Sequence, residues 1–162
     1  LLILMFSSTI TGSIITKYKN AFAAIPLLVS FIPMLMDTGG NCGSQSSTLI
    51  IRGIALGEIR FSDLFRVMFK EFRVSLIVGV VLALANGLRI LIMYRNAGLA
   101  LVIGLSLVAT VIISKLIGCL LPLFAKKLHM DPAIMASPLI TTLVDTCSIL
   151  IYFNIATRIF QL

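Results

Sequence analysis

Long apolar runs, interrupted by short polar punctuation, fill the chain from its first residue to its last. A helix that crosses a bilayer needs about 20 predominantly apolar residues. Five stretches read as such spans: residues 1–16, 21–51, 74–93, 99–124 and 133–155. The first is short and is closed by Lys17-Tyr18-Lys19-Asn20. The second is expected to be irregular, because Pro26 and Pro33 lack a backbone donor and Gly39, Gly40 and Gly43 loosen its middle. Arg95-Asn96-Ala97-Gly98 predicts a tight turn between the third and fourth spans, with Asn86 and Arg89 marking the outer end of the third. Asp131-Pro132 predicts the start of the fifth, with Asp as N-cap and Pro at the first helical position.

Residues 61–73 follow a different pattern. Phe61, Leu64, Phe65, Met68, Phe69 and Phe72 recur at helical spacing, while Ser62, Asp63, Arg66, Lys70, Glu71 and Arg73 take the other side. A two-faced, cationic, Phe-rich helix predicts an element lying along the membrane interface between spans two and three. The expected fold is an all-α integral membrane protein with five transmembrane helices and one interfacial helix, residues 1–162 forming a single transmembrane domain. No internal repeat or low-complexity segment interrupts it.

Composition closes off the water-soluble alternatives. Of 162 residues, 59% are hydrophobic and 12% charged, and the mean hydropathy is +1.13. Soluble domains are about 45–50% apolar and about 25% charged, so this chain has too little charge to cover a water-facing surface. Soluble enzymes, disordered chains and disulfide scaffolds are thereby excluded. The net charge of +7 would point to nucleic acid in a soluble protein. In a membrane protein it points to loops that face anionic lipid, and no nucleic-acid partner is expected. Arg52, Arg60, Arg66, Lys70, Arg73, Lys126 and Lys127 fall on one side, against Lys17, Lys19, Arg89, Arg95 and Arg158 on the other. That bias predicts a cytoplasmic N-terminus and an external C-terminus; the expected location is the inner membrane of a bacterial cell. Cys42, Cys119 and Cys147 form no CxxC pair and His129 is the single histidine, which leaves Cys/His metal chemistry unsupported. The chain opens inside an apolar run without Met or a charged n-region, and it reads as a piece of a longer protein.

Ionisable groups inside a span cost at least ~2.5–3.5 kcal/mol each on insertion scales, so each needs a reason. Asp145 is the sharpest case. Ser137, Thr141 and Asp145 are spaced by four and Ser148 follows at three, a polar stripe on one helix face. Two readings stand: a carboxylate neutralised by Lys115 or a hydroxyl, or one facing a wet cation path. Lys115 itself has a plain alternative, snorkelling towards the interface. Span two carries a second stripe, Asp37, Asn41, Ser44 or Gln45, and Thr48. Its Gly39 and Gly43 fit close helix packing, while an irregular Gly39-Gly40 backbone fits a cavity lining whose carbonyls meet cations. Gly53 and Gly57 suggest packing only.

This oxygen-rich set suits hard cations such as Mg²⁺, Mn²⁺ or Ca²⁺, and Mg²⁺ keeps most of its waters. One carboxylate is a poor match for a divalent ion, whereas a two-fold dimer with the pore on its axis supplies two copies of Asp145. A nucleophile–base pair is missing, so no enzymatic activity is expected.

At the two stripes the sequence resembles a known family. Pro33-Met34-Leu35-Met36-Asp37-Thr38-Gly39-Gly40-Asn41-Cys42-Gly43-Ser44-Gln45, followed by Thr48-Leu49-Ile50-Ile51-Arg52-Gly53, is similar to the second-span signature of the MgtE magnesium channels. Asp131-Pro132-Ala133, Ser137 to Asp145 and Leu150-Ile151-Tyr152-Phe153 resemble that family's fifth span. The resemblance covers essentially the whole chain. It implies a homodimer with five spans per chain and the pore between subunits. It implies that Asp145 recognises hydrated Mg²⁺, assisted by the backbone carbonyls of Thr141 and Ser137, with Mn²⁺, Co²⁺ or Ca²⁺ as possible further ions and no organic cofactor. Many members have Ala and Asn where Thr141 and Ser137 stand. Asn41, Gly39, Gly40, Ser44, Thr48 and Asp37 are the expected pore lining. Full-length members carry an N-terminal helical domain and a CBS pair as cytosolic gating modules. Those are absent from this sequence, so Mg²⁺-dependent closure is expected to be lost or altered without them. Two other classes remain as alternatives: a divalent cation carrier coupled to Na⁺ or H⁺, and a membrane subunit whose stripes only pack helices.

Overall fold

The computed structural model describes residues 2–18 and 25–161, excluding the side chains at 2–4, 6, 7 and 134–138. Residues 21–24, the predicted start of the second span, and Lys19 lie outside the described residues. Every regular element described is helical: α1 (Leu2–Lys17), a 3-10 helix (Pro26–Phe31), α2 (Ile32–Ala55), a short 3-10 turn (Phe61–Asp63), α3 (Leu64–Tyr94), α4 (Ala97–Lys127) and α5 (Pro132–Phe160).

The predicted punctuation sits at the helix ends. Arg95 in the left-handed region closes α3, and the Asn96 side chain accepts the Leu99 N–H at 2.9 Å to open α4. Asp131 accepts the Ala133 N–H at 2.9 Å with Pro132 in the first turn of α5, which satisfies a donor that has no partner within the helix. Beyond α2, Gly57 takes φ +73°, a conformation that costs glycine nothing.

Two expectations need correction. The glycine-rich middle of span two is not irregular: α2 runs unbroken from Ile32 to Ala55, and the irregularity is confined to the 3-10 helix at Pro26–Phe31. Glycine lowers helix propensity by only about 1 kcal/mol, which packing against neighbours outweighs here. Nor is the amphipathic segment a separate interfacial helix. Leu64 to Tyr94 is one helix, and no Pro or Gly stands between Leu64 and Gly79 to break it at the junction of the two predicted segments. Its Phe65, Phe69 and Phe72 are exposed, whereas Glu71, Ser75 and Gly79, spaced by four, are buried.

Among the described residues, three helical segments are long and apolar enough to cross a membrane: Phe61–Tyr94, Ala97–Lys127 and Leu139–Phe160. The 16 residues of α1 extend only about 24 Å, short of a hydrocarbon core about 30 Å thick, and the polar run in α2 lowers its hydropathy. The chain is accordingly a multi-pass membrane protein. Helix α4 is its centre, packed against α2, α3 and α5, while α1 packs on α5. In the most apolar window of α4, 56% of residues are buried, against 11% in α3, which leaves α3 as the outward helix. One apolar cluster joins Leu28, Phe31 and Leu35 to Ile103, Tyr152 and Phe153, and the Tyr152 hydroxyl donates to the Leu28 carbonyl at 2.8 Å. A smaller cluster at the other end of α2 and α4 gathers Ile50, Cys119 and Leu123.

Candidate functional site

Small residues bring α2 against its neighbours. A Cβ on Gly39 would lie 2.7 Å from a Val144 methyl and 2.9 Å from the Thr110 methyl; one on Gly43 would lie 2.7 Å from an Ile140 methyl and 3.2 Å from the Ser114 carbonyl. On α4, a Cβ at Gly118 would run into the Gly43 carbonyl. Helix α2 is therefore seated by backbone contact between α4 and α5. Side chains there would hold the helices apart.

On the adjoining face of α2 a polar cavity opens. Its volume is about 230 Å³, and it is lined by Met36, Asp37, Gly40, Asn41 and Ser44 from α2 and by Thr141 and Asp145 from α5. The two polar stripes of the sequence thus meet in one place. Residues 37, 41 and 44 share a face of α2, and residues 141 and 145 are one turn apart on α5. Asp37 and Asn41 are exposed, while Ser44, Thr141 and Asp145 are half-buried. The donor set is two carboxylates, an amide and two hydroxyls, an environment for a hard cation or its water. Among the described residues no group of three His, Cys, Asp or Glu side chains is close enough to hold a metal.

The remaining predicted residues fall elsewhere. Gly39 is buried against α4 and α5, on the packing side. The two readings of the glycine run therefore divide by face, with Gly39 and Gly43 in packing and Gly40 at the cavity. Thr48 is exposed outside the cavity, its hydroxyl donating to the Ser44 carbonyl at 2.9 Å. The Ser137 side chain lies outside the described residues. Ser148 is buried, bonded to the Val144 carbonyl at 2.7 Å.

Lys115 neither meets Asp145 nor snorkels. Its Nζ lies 3.2 Å from Glu71 Oε2 and 3.1 Å from Ser46 Oγ, and the Ser46 hydroxyl donates to the same carboxylate at 2.6 Å. All three residues are buried, and the cluster ties α2, α3 and α4 together. It is the ion pair formed among the described residues, and it leaves Asp37 and Asp145 without a basic partner. The sequence did carry a signal for it, the Glu71-Ser75-Gly79 row at spacing four, but the outward reading of the polar face concealed it. Met36, also at the cavity, has no polar signature to mark it.

Comparison with known proteins places these features in a family. The family model MgtE, described as a divalent cation transporter, matches residues 32–155. The magnesium transporter MgtE of Bacillus subtilis (strain 168) is 40% identical over 157 residues, covering 97% of this chain and 35% of that protein. Its namesake in Thermus thermophilus is 36% identical over 163 residues (99% of this chain, 36% of the relative). That of Enterococcus faecalis is 34% identical over 157 residues (97% and 35%). The chain spans about a third of the length of these curated relatives.

Proposed function

The chain belongs to the MgtE family of divalent cation transporters, and from that premise we propose that it forms the Mg²⁺-conducting part of a membrane transporter, with Asp145 as the ion-recognising carboxylate. The observation that carries this reading is the single cavity in which Asp145 and Thr141 of α5 meet Asp37, Asn41 and Ser44 of α2.

A largely hydrated ion is the form proposed. Six waters at about 30 Å³ each occupy about 180 Å³, which a cavity of about 230 Å³ accommodates. Mg²⁺ also sheds water reluctantly, and two carboxylates cannot replace an octahedral shell. The proposed contacts are outer-sphere: ion-bound waters donate to Asp145, Asp37 and the oxygens of Asn41, Ser44 and Thr141. Helix α5 adds the backbone carbonyls of Thr141 and Ser137.

In this proposal α1 and α2 cross the membrane beside the three longer helices, giving five spans with a cytoplasmic N-terminus. The cavity is half of the path. A second copy related by a two-fold axis contributes the other half and a second Asp145, doubling the negative charge presented to a dication. The magnesium transporters similar to this chain are far longer, and the remaining length of such a protein is proposed to supply its gating.

Reconstitution in liposomes tests the assignment. Asp145→Ala is expected to lower Mg²⁺ uptake by at least tenfold while the protein still assembles, and Asp145→Asn, which keeps the shape and loses the charge, to lower it nearly as far. Unchanged uptake in both variants would overturn it. Imposed Na⁺ or H⁺ gradients are expected to leave the flux unaltered, and a flux that follows either gradient would make the protein a coupled carrier.

A further inference from the structure

We propose that the first three turns of α3 form a headgroup site for an anionic phospholipid. Arg66, Lys70 and Arg73 succeed one another at spacings of four and three, so they share one side of the helix. All three are exposed. They line a groove of about 370 Å³ whose apolar walls include Phe69, Val74 and Ile77.

No carboxylate lines the groove itself. Asp63 accepts the Arg60 N–H at 3.0 Å, and Glu71 is buried with Lys115 and Ser46. The groove presents three positive charges and no carboxylate in its lining, while Glu58 shares a neighbouring groove with Lys70. Arg offers a planar fork of donors that fits a phosphodiester through paired hydrogen bonds, and Lys adds a point charge.

A phosphate alone would leave the apolar walls unexplained. Phe69 and Ile77 are 64% and 67% exposed, and below them Val81, Leu84 and Leu88 continue the exposed apolar surface along the same helix. A cationic collar leading onto such a strip matches a molecule with an anionic head and hydrocarbon tails. The continuity of α3 from Leu64 to Tyr94 puts both parts on one rigid rod at the point where it enters the membrane. This inference stands independently of which ion crosses.

The test uses the purified full-length protein in detergent, with native mass spectrometry reading lipid retained. Wild type is expected to retain phosphatidylglycerol over phosphatidylcholine. Each neutralised cation is expected to weaken retention about fivefold, so that Arg66→Gln/Lys70→Gln/Arg73→Gln loses about 100-fold. Arg89→Gln/Arg95→Gln, at the opposite end of α3, is expected to retain the lipid as wild type does. Should the triple variant fail to fold, Arg73→Gln alone is read against the fivefold expectation. Equal retention by wild type and the site variants, or no preference over phosphatidylcholine, overturns the proposal. So does displacement of the lipid by inorganic phosphate at equal concentration, which would mark a site for a free anion.

Discussion

At the residue scale, the buried cluster of Glu71, Lys115 and Ser46 is the most exposed to mutation. Each charge is compensated by the other, and Ser46 completes the carboxylate's hydrogen bonds. Removing one partner of a buried pair strands the other and typically costs about 3–5 kcal/mol, whereas replacing both by apolar residues is often neutral. Lys115→Met is thus expected to destabilise the protein by about 3–5 kcal/mol, and Glu71→Leu/Lys115→Met to recover most of the loss. Thermal unfolding in detergent measures both, and a double variant no better than the single would show that the pair acts through something besides charge compensation. The cluster also shows where sequence reasoning stopped. Asp145, Thr141, Asp37 and Asn41 stood out because polar residues at spacing four are rare inside an apolar span. Glu71 did not, because it lay on the polar side of a segment whose pattern resembles a helix floating at an interface. Periodicity divides a helix into two faces without saying which one is outside. In water the polar face is outside; in a bilayer Phe65, Phe69 and Phe72 face outward and Glu71 turns in.

At the element scale, the position of α2 rests on the absence of side chains. Gly118 of α4 abuts the Gly43 carbonyl, and main chain cannot swing aside as a flexible side chain can. Gly118→Ala is expected to cost about 1–3 kcal/mol by overpacking and to shift α2 relative to α5, widening the gap between Asn41 and Asp145. Gly87 on α3 has nothing within 4 Å of an added Cβ. Gly87→Ala should therefore stabilise the same helix fold by about 0.5–1 kcal/mol through helix propensity alone. Melting temperatures and Mg²⁺ flux of the two variants separate close approach from propensity. If Gly118→Ala were silent in both, α2 and α4 could not be packed as described. The helix ends were legible for a related reason. Caps such as Asn96 and Asp131 act within three residues, so local sequence holds all the information they use. The seating of α2 depends on residues about 75 positions apart, and only the spacing of its glycines hinted at it.

At the scale of the whole molecule, the cavity poses a question of charge and symmetry. It opens at one side of α2 and α5, and Asp37 and Asn41 at its rim are exposed. Among the described residues neither Asp37 nor Asp145 has a basic partner, and a dication passing between two such surfaces would offset their charges. A pore on a two-fold axis then draws on both copies of Asp145 for every ion, whereas a pore inside each chain would draw on one. Mixed dimers, isolated through different tags on wild-type and Asp145→Ala copies, distinguish these arrangements. A shared pore predicts that one altered copy lowers flux well below half of the wild-type value. Independent pores predict half. In the shared pore the outcome would turn on a property no single chain possesses: the field at the axis would come from two carboxylates acting on one ion, and the loss of either would leave the dication facing a single charge.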